Sequence, residues 1–140
     1  MEFELLKKDD RDIPTFQELH EYPTIKKYIS IGENYFEYVT STENVWYYKM
    51  LLEDMVIGGI HLEKEGDTMY LSICIHPQYQ GKGYGKKSLR YVMDRLAKGV
   101  SSIKASIEAE NISSIKLFES CGFVFVDREE ELLNYIKILD

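Results

Sequence analysis

The stretch Leu71–Lys98, LSICIHPQYQGKGYGKKSLRYVMDRLAK, decides how this chain is read. Leu71, Ile73 and Ile75 alternate with Ser72 and Cys74, the two-residue period of a strand. Pro77 ends the strand, because a proline has no donor for a ladder. Gln80-Gly81-Lys82-Gly83-Tyr84-Gly85 then makes a glycine turn, after which Leu89, Val92, Met93 and Leu96 recur at helical spacing up to a stop at Gly99. A glycine turn that opens a helix presents unpaired main-chain N–H groups at the positive end of the helix dipole. Such a turn is an anion site, suited to a phosphate or pyrophosphate. The glycines serve it by leaving no Cβ between ligand and donors, and by allowing positive φ.

Two common phosphate loops do not fit. A Walker loop needs Gly, four residues, Gly, then Lys and Ser or Thr, and a dinucleotide fingerprint needs G-x-G-x-x-G. Gly81, Gly83 and Gly85 give only G-x-G-x-G. The turn does match Q/R-x-x-G-x-G/A, read as Gln80, Gly83 and Gly85. With the strand and His76-Pro77 before it, the segment resembles the acyl-coenzyme A pyrophosphate loop of the GNAT acyltransferase superfamily.

Composition bounds the rest. A length of 140 residues predicts one domain, 1–140, with a proper core. Hydrophobic residues at 44% and charged residues at 29% are ordinary for a soluble globular protein. No apolar run has the length of a membrane span and Met1-Glu2-Phe3-Glu4 does not read as a signal peptide, so a cytoplasmic protein with no membrane partner is expected. Cys74 and Cys121 lie far apart without a C-x-x-C, which predicts reduced thiols. A net charge of −7 argues against nucleic acid, which asks for a basic footprint. It suits a cationic small molecule or an amine-bearing peptide, although solubility alone also accounts for it.

In chain order, Phe3 to Lys7 reads as a first strand and Asp9 to Pro14 as a turn, with Pro14 just inside a helix start. Thr15–Glu21 and Thr24–Ile31 read as helical pieces split by Pro23. Gly32 to Asn44 is polar and aromatic and is left unassigned. Val45–Glu53 and Met55–Glu63 are predicted strands turning at Glu53-Asp54, and Glu65-Gly66-Asp67 turns into the Met69–Ile75 strand. Ser102–Ala109 is a strand, and Ile112–Ser120 a helix capped by Asn111 and stopped at Gly122. Phe123–Val126 and Leu132–Leu139 close the chain as two strands. This order predicts a mixed α/β (α+β) domain, and no metal is expected at its site.

A second signature joins the first. Asn111 to Phe123, NISSIKLFESCGF, is similar to the closing motif N-x-x-x-x-x-L-Y-x-x-x-G-F of the same superfamily. The resemblance implies a central, mostly antiparallel sheet of about six to seven strands, splayed between the fourth and fifth and flanked by about four helices. It implies an acetyl-CoA-dependent N-acetyltransferase that passes acetyl to a primary amine by direct attack in a ternary complex. The pantetheine arm would pair with the open edge of Ile73, Cys74 and Ile75 like an added strand. An N–H near Cys74 would face the thioester oxygen, while Gln80, Gly81, Lys82, Gly83, Tyr84, Gly85 and Lys86 hold the pyrophosphate. Asn111 and Phe118 would complete the coenzyme site.

An amine acceptor must lose a proton before it attacks. With an ammonium pKa near ~10.4, exposing the lone pair at pH 7 costs roughly 4–5 kcal/mol. Candidate bases are Glu108 and Glu110, Ser72 and His76, and His61 or Glu63, with Glu108 placed first and Cys74 and Ser72 beside it; a solvated or merely packed role is the rival for each. One departure stands out: Phe118 occupies the place of the family's tyrosine, which protonates the departing thiolate. Tyr84 or Cys121 could replace it, or the chain could be an acyl-CoA-binding sensor without transfer. Among the 11 tyrosines, Tyr22 and Tyr28 fall where the family builds its acceptor wall, with core packing or a homodimer face as rival uses.

Overall fold

In the computed structural model, which describes residues 1–140, seven strands form one sheet. They are β1 (Glu2–Leu5), β2 (Val45–Leu52), β3 (Met55–Glu65), β4 (Thr68–Ile75), β5 (Ser102–Glu108), β6 (Val124–Glu129) and β7 (Leu132–Ile138), in the order β1-β2-β3-β4-β5-β7-β6. Every neighbouring pair is antiparallel except β4 and β5. The β2–β3 hairpin turns at Glu53 and Asp54, both at positive φ, as a two-residue turn between twisted strands requires.

Helices pack on both faces. On one lie α1 (Ile13–Leu19), α2 (Pro23–Lys26) and α3 (Tyr35–Ser41), whose Phe16, Leu19, Ile25, Phe36 and Val39 form a core layer with Tyr47 and Cys74. On the other lie α4 (Tyr84–Tyr91, running on as a π turn through Leu96) and α5 (Ile112–Ser120). There Leu89, Val92 and Phe118 pack with Ile60, Met69, Leu71 and Ile103. Each fully buried side chain of this size is worth roughly 1.5–3 kcal/mol, which is what holds the helices on the sheet. The apolar alternation of β4 is thus shared: Met69 and Leu71 serve the second layer and Cys74 the first.

The strands and the later helices follow the sequence reading closely, and the first third does not. Gly32–Asn44, left unassigned, contains α3; Phe36 and Val39, three apart, give it one buried edge. The helix expected over Thr24–Ile31 is a single turn, and Pro23 starts it rather than splitting two pieces, since proline is tolerated in a first turn. The helix expected from Thr15 begins at Ile13 with Pro14 in that first turn. The α-helices therefore number five. A buried lysine anchors this region: Lys49 Nζ on β2 lies 2.9 Å from Asp10 and 2.6 Å from Asp12, holding the β1–α1 loop to the sheet.

Candidate active site

β4 and β5 stay together only at their starts. Thr68, Met69 and Tyr70 pair with Ser102, Ile103 and Lys104, and from there β5 follows β7 while β4 runs free. The gap opens into a cleft of about 700 Å³ lined by Ile73, Cys74 and Ile75 on one side and the start of α5 on the other. The His76 N–H donates to Ile57 O on β3. Main-chain groups alternate along a strand, so the amides of Cys74 and Ser72 also face β3 while those of Ile73 and Ile75 face the cleft. One of these exposed groups is already engaged: Gln80 Nε2 donates to Ile75 O at 2.8 Å.

The glycine turn forms the mouth of the cleft. Gly81 and Gly83 have φ of 74° and 88°, a region other residues enter with strain. No main-chain N–H from Gly81 to Lys86 donates within the chain; the first that does is Lys87, to Gly83 O. Gly85 has a different task, since a Cβ there would lie 2.7 Å from Leu117 Cδ2, and its absence lets α4 close on α5. Gln80, Gly81, Gly83, Gly85, Lys86 and Asn111 all line the cleft. Asn111 also caps α5, its Oδ1 accepting from the Ser114 N–H.

Other expected residues stand elsewhere. Lys82 and Tyr84 are not in the cleft wall: the ammonium of Lys82 lies over the Tyr79 ring, and Tyr84 packs against Tyr79 on the outside of the turn. Tyr84 and Cys121, the two named substitutes for the absent tyrosine, both lie outside the cleft lining. Phe118 is buried edge-to-face on Phe123 and borders a narrow extension of the cleft, about 50 Å³, together with Ser72, Glu108 and Tyr28. Tyr28 lines both spaces, whereas Tyr22, the other expected acceptor-wall residue, lines neither and holds its hydroxyl 3.1 Å from His76 Nε2. Glu110 reaches the main cleft, and Lys27, at the C-terminal end of α2, pairs with it at 3.8 Å.

The face of the sheet beneath α1–α3 holds groups that the sequence did not join. Cys74 Sγ lies 3.7 Å from Tyr47 Oη and 3.6 Å from His20 Nε2, which are 3.0 Å from each other. Burial pushes the Cys74 thiol up to about 11, against the opposing effect of its hydrogen bond from Tyr47, so it stays protonated near neutral pH. Burial pushes His20 down to about 4, and its Nδ1 has no partner. Alongside runs a second chain of contacts: Tyr35 Oη to His61 Nδ1 at 2.5 Å, His61 Nε2 to Glu63 Oε1 at 2.8 Å, and the Tyr38 hydroxyl donating to the same oxygen at 2.9 Å. The signal that was available for this cluster is Gly59. A Cβ there would lie 2.0 Å from Tyr47 Oη, and glycine inside a strand marks such a close approach.

The Acetyltransferase (GNAT) family model matches residues 5–123 of this chain, which takes in the splayed strands, the glycine turn and the closing helix. The chain belongs to the GNAT acetyltransferase family. Among curated relatives, the L-methionine sulfoximine/L-methionine sulfone acetyltransferase of Salmonella typhimurium is 40% identical over 57 residues, which is 40% of this chain and 33% of that protein. This chain thus spans about a third of the relative's length. A domain from Methanocaldococcus jannaschii has the same fold, with a TM-score of 0.83 at 24% identity and 99% of each chain covered. The aminoglycoside acetyltransferase AAC(6')-Ib, solved in complex with coenzyme A, superposes with a TM-score of 0.78 at 16% identity over 98% of this chain and 95% of that one. This GNAT chain holds no group of His, Cys, Asp and Glu placed to bind a metal ion, and no helix long and apolar enough to cross a membrane.

Proposed function

We propose that this GNAT chain transfers an acetyl group from acetyl-CoA to a primary amine by direct attack within a ternary complex. The observation that carries the reading is the run of undonated amides from Gly81 to Lys86 at the mouth of a cleft whose wall is an unpaired strand edge. A pyrophosphate satisfies bare amides at a helix start, and an amide-bearing arm satisfies a free edge. Gln80, Gly81, Gly83, Gly85 and Lys86 are the residues to hold the pyrophosphate, Ile73 and Ile75 the edge to hold pantetheine, and Asn111 a further contact. Acetyl-CoA supplies the activated thioester. The Ile75 N–H, beside Cys74, is the donor suited to charge developing on the thioester oxygen. The ammonium first gives a proton to a base; the free amine then attacks the thioester carbon, the C–S bond of the tetrahedral species breaks, and the second N–H proton ends on the departing sulfur as coenzyme A thiol.

Direct attack is favoured over an acyl-cysteine because the Cys74 thiol is held protonated and buried. The acceptor would come in on the Ser72 and Tyr28 side of the splay, and the net charge of −7 favours a cationic one. Two free thiols suit a reducing, cytoplasmic setting. A second reading, a sensor that binds acyl-CoA without transfer, rests on Phe118, which has no proton to give a departing thiolate. Thiol release from acetyl-CoA, followed with spermidine, methionine sulfone and an alanyl peptide, separates the two. We expect release above background with at least one amine; coenzyme A binding in a calorimeter with no release from any would favour the sensor.

A further inference from the structure

We propose that the acceptor's proton passes through the Tyr35 hydroxyl to His61, and that Glu63 and Tyr38 position this histidine and balance its charge. The inference rests on the transfer reading above and names the base that reading leaves open.

Register places the group. On β3, His61 lies directly opposite Ser72 of β4, and Ser72 borders the narrow extension of the cleft. Side chains of such a cross-strand pair stand about 5 Å apart on one face. His61 is therefore one strand in from the splay, beneath α3. Tyr35 and His61 line neither the cleft nor its extension, so the acceptor would reach them from the Ser72 side; the Tyr35 ring is 5.7 Å from that of His20 and 6.1 Å from that of Tyr47, the two partners of the Cys74 thiol. It thus touches both His61 and the cluster behind the cleft wall.

Hydrogen bonding gives the direction. Glu63 accepts from His61 Nε2–H, so Nδ1 is the lone-pair nitrogen and accepts from the Tyr35 hydroxyl. Burial pushes the Tyr35 phenol up, which keeps it a donor. When an ammonium gives its proton to Tyr35 Oη, Tyr35 passes its own to Nδ1. One N–H bond breaks on the amine and one forms on the imidazole, and the positive charge ends 2.8 Å from the Glu63 carboxylate. Every ionisable group packed about His61 fits this scheme. Tyr35 and Tyr38 come from α3, Glu63 from β3 itself, Tyr47 from β2, Cys74 from β4, and His20, held neutral by burial, comes from the end of α1.

The rivals are less well furnished. His76 is half-buried outside both the cleft and its extension, and its Nδ1 accepts from the Gln78 N–H. Glu110 faces the Lys27 ammonium. Glu108 borders the extension but makes no side-chain hydrogen bond or ion pair that would drain a proton away.

The test uses the full chain, acetyl-CoA and whichever of spermidine, methionine sulfone or alanyl peptide the wild type acetylates fastest. His61→Gln, Tyr35→Phe and Glu108→Gln are compared from pH 7 to pH 9.5, with coenzyme A affinity as the folding control. At pH 7 we expect His61→Gln and Tyr35→Phe to lower kcat/KM by about 10²–10⁴-fold. The deficit should shrink as the pH rises and solvent deprotonates the amine, with coenzyme affinity unchanged. A deficit that stays constant with pH, or one that shrinks with pH in Glu108→Gln instead, overturns the proposal. A wild type that binds coenzyme A and acetylates none of the three amines defeats the transfer reading itself, and the proton path with it.

Discussion

The two halves of the site are made in different ways. The glycine turn from Gly81 to Lys86 is a local device: its amides are left bare by helix geometry and by two residues at positive φ. The face beneath α1–α3 is a tertiary one, in which His20, Tyr35, Tyr47, His61 and Cys74 meet from two helices and three strands. A site built from a few consecutive residues tolerates changes elsewhere, whereas one built from five elements depends on the packing between them. Substitutions should therefore separate coenzyme binding from acceptor-side integrity.

Gly59→Ala should have the largest effect. Its Cβ would run into Tyr47 Oη, and overpacking on this scale costs about 3 kcal/mol. Urea unfolding checks this, and an unchanged midpoint would mean that the Tyr47 cluster is not rigid. Next is His20→Gln, which probes the same face through pH. Burial, with a smaller contribution from His61, lowers the His20 pKa from 6.5 to about 4. Between those values the unfolded chain binds a proton that the fold does not, so stability falls as the pH drops through this window and levels off below it. The difference amounts to at most about 3 kcal/mol. His20→Gln should remove that part of the slope between pH 6.5 and 4; an unaltered slope would place the titration elsewhere.

On the other half, Gly83→Val forces a β-branched residue to φ 88°, where even an ordinary side chain costs about 1–2 kcal/mol. If the exposed turn relieves this strain by leaving its binding conformation, coenzyme A affinity should fall about tenfold with little change in the unfolding midpoint. A global loss of stability with unaltered affinity would reverse this contrast. Phe118→Tyr should do least. A thiolate of pKa near ~8.5 leaves without help, so turnover should change less than about tenfold even though residue 118 borders the cleft extension. A hundredfold gain would show that proton delivery to the leaving group limits the enzyme.

The same contrast explains what could be read in advance. Gln80, Gly83 and Gly85 carry their meaning in their spacing, and the alternation in β4 and β5 fixes which residues share a face, so the sheet and the turn were legible. Tyr35 was not. It lies in a segment whose aromatic content says little about helix or strand, and its role comes from His61, on a strand 26 residues away. His20 and Tyr47 were equally silent, since nothing near either in sequence predicts that they flank Cys74. The splay itself left no mark in β4 or β5, which pair at only three positions although β5 pairs with β7 along its full length.

The central claim is that main-chain amides at the start of α4 grip the coenzyme's linked phosphates. Titrating the ¹⁵N-labelled chain with coenzyme A and following its amide resonances tests it most directly. The largest shifts should fall on Gly81 through Lys86, with Ile73 and Ile75 responding along the strand edge. Saturable shifts confined to other residues, or no shifts from folded protein, would contradict the account.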